Sequence, residues 1–195
     1  MTMFRCGLVF FLSLALALPL PLQAQAPLAG DHIERVEPRV HEGELYIDAD
    51  ARFELSGELR EAAHRGVPLY FTVDLEIVSR RWWWFDKEVV RTTQTWKVVY
   101  NALTRQWRVG SGDLSLPEST LDEALNPIRH IRGWAVADLD DLEHDELYEG
   151  RIRIRLDTSR LARPFQVNAL NSSAWSLATP WKNFSFSISV DAPTS

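Results

Sequence analysis

Residues 69–77 read Leu-Tyr-Phe-Thr-Val-Asp-Leu-Glu-Ile. Leu69, Phe71, Val73, Leu75 and Ile77 alternate with Tyr70, Thr72, Asp74 and Glu76. This period of two gives a strand one apolar face and one wet face. Residues 45–55, 152–156 and 184–190 repeat the pattern. Residues 88–100, EVVRTTQTWKVVY, are rich in β-branched side chains and read as a long strand that turns at Asn101-Ala102 and returns through residues 106–109. Residues 33–36 and 131–136 are weaker strand candidates. Strands with one polar face favour antiparallel sheets, and two such sheets must cover each other's apolar faces. The expected fold is therefore mainly β: an antiparallel β-sandwich, immunoglobulin-like in general architecture, with an open barrel as the alternative.

Two short helices are expected beside the strands. Ser56 can cap a helix that carries Leu59, Ala62 and Ala63 on one face and ends at Gly66. Ser115-Leu116-Pro117-Glu118 has capping-box spacing ahead of Leu121, Leu125 and Ile128, with Pro127 expected to kink or end that second helix. Pro164 argues against regular helix at its position, so the stretch from 163 to 173 reads as an irregular crossover with Val167 and Leu170 buried.

The chain has 195 residues, 21 Lys+Arg against 27 Asp+Glu, and one cysteine. That length suits one domain, assigned to 27–195, and the acidic balance argues against a nucleic-acid partner. Arg5, the uncharged apolar run 7–22 and the small residues after it form a signal peptide, 1–26. Cleavage after Ala24 is favoured over Ala26, because Pro27 hinders the latter. Cys6 leaves with the leader, so the mature chain has neither disulfide nor thiolate chemistry. The expected location is the periplasm.

No segment matches a catalytic or metal-binding motif. His32, His41, His64, His130 and His144 form no ligand pair, and the acids between Asp138 and Glu149 lack the spacing of a calcium loop. No cofactor and no metal are expected. Arg151, Arg153 and Arg155 share one strand face and suit pairing with acids such as Asp48, Asp50 or Asp74. The unusual run is Arg80-Arg81-Trp82-Trp83-Trp84-Phe85, followed by Asp86-Lys87. In an extended chain Trp82 and Trp84 oppose Trp83 and Phe85. One pair is then an exposed aromatic platform flanked by cations, or both pairs are buried at a sandwich edge.

The string Arg-Pro-Phe-Gln-Val-Asn-Ala-Leu-Asn-Ser-Ser at 163–173, followed by Trp175 and Trp181, together with Arg-Trp-Trp-Trp-Phe-Asp at 81–86, resembles an exported proteobacterial family of unknown function, domain-of-unknown-function family 4390. The resemblance spans roughly residues 30–190. It supplies no catalytic residues, and it implies a Gram-negative envelope location and a link to envelope signalling through a membrane sensor kinase. Trp175 and Trp181 join the 80–85 run as candidate binding residues. The expected function is a non-catalytic binding or interaction module with an envelope protein or glycan as partner and peripheral contact with the inner membrane. The alternative is a hydrolase of envelope glycan or peptide that uses paired carboxylates. The oligomeric state stays open.

Overall fold

The computed structural model describes residues 30–79 and 87–188. The expected leader and the aromatic run 80–86 lie outside the described residues. In chain order the elements are β1 (His32–His41), β2 (Glu44–Arg52), α1 (Gly57–His64), β3 (Leu69–Ser79), β4 (Lys87–Asn101), β5 (Gln106–Ser111) and β6 (Leu116–Glu118). They continue with α2 (Leu121–Arg129), β7 (His130–Asp138), β8 (Leu147–Leu156), α3 (Arg163–Asn171) and β9 (Lys182–Ser187). No helix of the described residues is long and apolar enough to cross a membrane.

All described pairings are antiparallel, in two sheets of order β1-β2-β7 and β6-β5-β4-β3-β8-β9. The β1–β2 hairpin closes on Glu42 and Gly43, both at positive φ (49° and 82°). That is the twist-matched two-residue turn that glycine permits at its second position. The inward residues of β3 are Leu69, Phe71, Val73, Leu75 and Ile77. They join Leu45 and Ile47 of β2 and Ile152 and Ile154 of β8 in one buried cluster. The expected sandwich is present, with three strands facing six. On the inward-reading positions of these alternating stretches, Ile47, Phe53, Phe71, Val73, Leu75, Ile154 and Ile188 are buried, whereas Phe186 is half-buried near the β9 edge and stacks on Tyr148.

The helices partly correct the expectation. The Ser56 cap is present, with its hydroxyl accepting from Leu59 N–H. The second capping box is Thr120 with Glu123, not Ser115 with Glu118. Both pairs have the same spacing, but Leu116–Glu118 pairs with β5 at the sheet edge, where Pro117 is tolerated. Pro127 does not end α2, which runs two residues further. Pro164 does not prevent a helix either. It occupies the first turn of α3, where a backbone N–H has no intrahelical acceptor. Val167 on that helix is exposed, contrary to its expected burial.

Gly150 of β8 lies under the Phe184 ring of β9, and a Cβ there would come within 2.2 Å of the ring. The aromatic ring covers the glycine and ties the β9 edge to the sheet. Gly150→Ala must displace Phe184, so a loss of about 1 kcal/mol is expected in urea denaturation. Unchanged stability would show that the ring does not hold this edge.

Candidate functional site

Trp175 and Trp181 sit in different environments. Trp175 is buried, stacks on Phe165 of α3 at 5.9 Å and donates from Nε1 to Glu58 of α1 at 3.2 Å. It is a packing residue that joins α1 to α3. Trp181 is half-buried on the outer face of the large sheet, with the guanidinium carbons of Arg151 and Arg153 at 4.7 and 4.4 Å from its ring centre. Arg80, Arg81, Trp82, Trp83, Trp84 and Phe85 lie outside the described residues.

The arginine stripe is neutralised. Arg153 and Arg155 both reach Asp74, at 2.8 and 2.9 Å. Arg151 and Arg91 hold Glu76, Arg91 also pairs with Glu88, and Arg155 approaches Asp157. Four guanidiniums thus meet four carboxylates. Burial pushes the Asp74 carboxyl up, but hydrogen bonds from Arg155 and Arg153 outweigh burial and leave it lower than usual. Asp48 and Asp50, also considered as partners for the stripe, belong to the small sheet. Asp48 pairs with Arg39, and Asp50 with Arg35, Arg132 and His130. The stripe is therefore an ion-pair ladder in which Arg91, Arg151, Arg153 and Arg155 are all paired with carboxylates.

The opposite situation holds between β4 and β7. Val90, Thr92, Gln94, Trp96 and Val98 of β4 point inward, because they pair with the core-facing residues of β3. Val98 is fully buried, but Thr92, Gln94 and Trp96 are only half covered. Gln94 and Trp96 line a cleft of about 500 Å³ with Pro127 of α2 and residues 130–135 of β7. Gln94 Oε1 and Trp96 Nε1 are buried atoms with no hydrogen-bond partner. Buried polar atoms are nearly always paired, so an unpaired acceptor and an unpaired donor on neighbouring inward side chains are unusual. β7 has no strand on its far side among the described residues. It is bent by a bulge at Arg132-Gly133: Gly133 has φ +60°, and its N–H donates to Asp48 at 2.7 Å. Bulges of this kind gather at sheet edges and functional sites.

A family model described as a domain of unknown function (DUF4390) matches residues 28–185. The chain belongs to the DUF4390 family. The match covers the strings at 81–86 and 163–173 together with Trp175 and Trp181, which carried the resemblance in sequence. No curated protein and no solved structure matches the chain. The DUF4390 description assigns no activity and no site residues.

In this DUF4390 protein the cleft residues carried no motif, yet one signal was present. Gln94 interrupts the inward register Val90-Thr92-Gln94-Trp96-Val98 with an amide, and a polar residue at an inward position needs a partner. Periodicity alone identified the strand without revealing that its inner face is left partly uncovered. Among the described residues no group of three His, Asp or Glu side chains is placed to hold a metal ion.

Proposed function

We propose that this protein is a non-catalytic binding module of the bacterial envelope, exported to the periplasm, and that it holds its partner in the cleft between β4 and β7. The observation that supports the proposal is the cleft of about 500 Å³ between β7 and the half-covered inner face of β4 at Gln94 and Trp96. Export is supported by the leader pattern of residues 1–26. A paired-carboxylate hydrolase receives no comparable support.

Two measurements test the proposal. Mass spectrometry of the periplasmic fraction should find a mature chain beginning at Gln25 or Pro27, and an uncleaved chain held in the membrane would sink the export reading. A photo-crosslinking amino acid at Ala135, exposed on the β7 side of the cleft, should trap a partner in living cells. The same group at Lys97, exposed on the outer face, should not. Identical adducts from both positions, or none from 135, would remove the cleft as the site.

A further inference from the structure

We draw no further inference here: the strongest candidate, the cavity of about 580 Å³ on the outer face of the large sheet between β3, β8 and β9, lined by Glu76, Arg151, Asn183 and Ser185, carries nothing because nothing in the structure shows what covers it.

Discussion

Phe71→Ala should lower the unfolding free energy by about 3–5 kcal/mol, the range for removing a large aromatic side chain from a packed core. Phe71 is fully buried at the centre of the six-stranded sheet, where β3 pairs with Trp96 on one side and Leu156 on the other. Its ring stacks on Phe53 at 5.8 Å. The site has little room to collapse, because strands hold it from both sides and the facing ring is itself buried. Urea titration followed by tryptophan fluorescence measures the effect. A loss below about 1 kcal/mol would mean that the two sheets are not packed through this pair, since a surface substitution has an effect of that size. Phe186→Ala should have a smaller effect than Phe71→Ala, because Phe186 is only half-buried.

Asp50→Asn should be the largest polar perturbation, a loss of about 2 kcal/mol at pH 7, the range for hydrogen bonds to a charged group. The Asp50 side chain is 16% exposed. Its Oδ1 accepts from His130 at 2.9 Å and is bonded by Arg132, while Oδ2 accepts from Arg35 at 3.1 Å. The hydrogen bonds from His130, then Arg132, outweigh the opposing effect of burial and, with Arg35, hold this carboxyl far below the usual carboxylate range. The folded state thus prefers ionised Asp50 more strongly than the unfolded state does. Its contribution is complete above the ordinary aspartate pKa of about 4 and fades as pH falls through the lower folded-state value. Stability should therefore decline with acid below about pH 4 in the parent protein, and Asp50→Asn should flatten that decline while lowering the plateau at neutral pH. Parallel acid slopes in the two proteins would show that the cluster joining β1, β2 and β7 through Asp50 does not contribute in this way. Because His130, Arg132 and Arg35 are about half exposed, added salt should shrink the difference.

Strand positions and the polarity of each strand face were legible in the sequence because each follows from a local period. The alternation at 69–77 and 152–156 places Phe71 and Ile154 inward and Asp74 and Arg153 outward whatever lies across from them, so the sandwich and the pairing of the arginine stripe with Asp74 both follow from it. The Ser56 cap is equally local, since its acceptor and donor are three residues apart. Where two local patterns competed, as with Ser115 and Thr120 or with Pro164 in a first turn, spacing alone could not choose between them. There the pairing of Leu116–Glu118 with β5 and the docking of α3 through Phe165 onto Trp175 decided.

Trp175 and Trp181 are alike in sequence, six residues apart in the same family string, yet one is buried against Phe165 and the other lies over two arginines. Their difference comes from chain segments more than twenty residues away, Glu58 on α1 and Arg151 and Arg153 on β8. The cleft shows the same separation of levels. Sequence alone determined that 88–100 forms a long strand, and its pairing with β3 turned Gln94 and Trp96 inward. Whether anything would cover them depended on how many strands the opposing sheet contains and where its last strand ends, which is a property of long-range pairing between β2 and β7 and of the bulge at Gly133. A strand's period specifies which way a side chain points, and only the packing of distant strands specifies what it meets there.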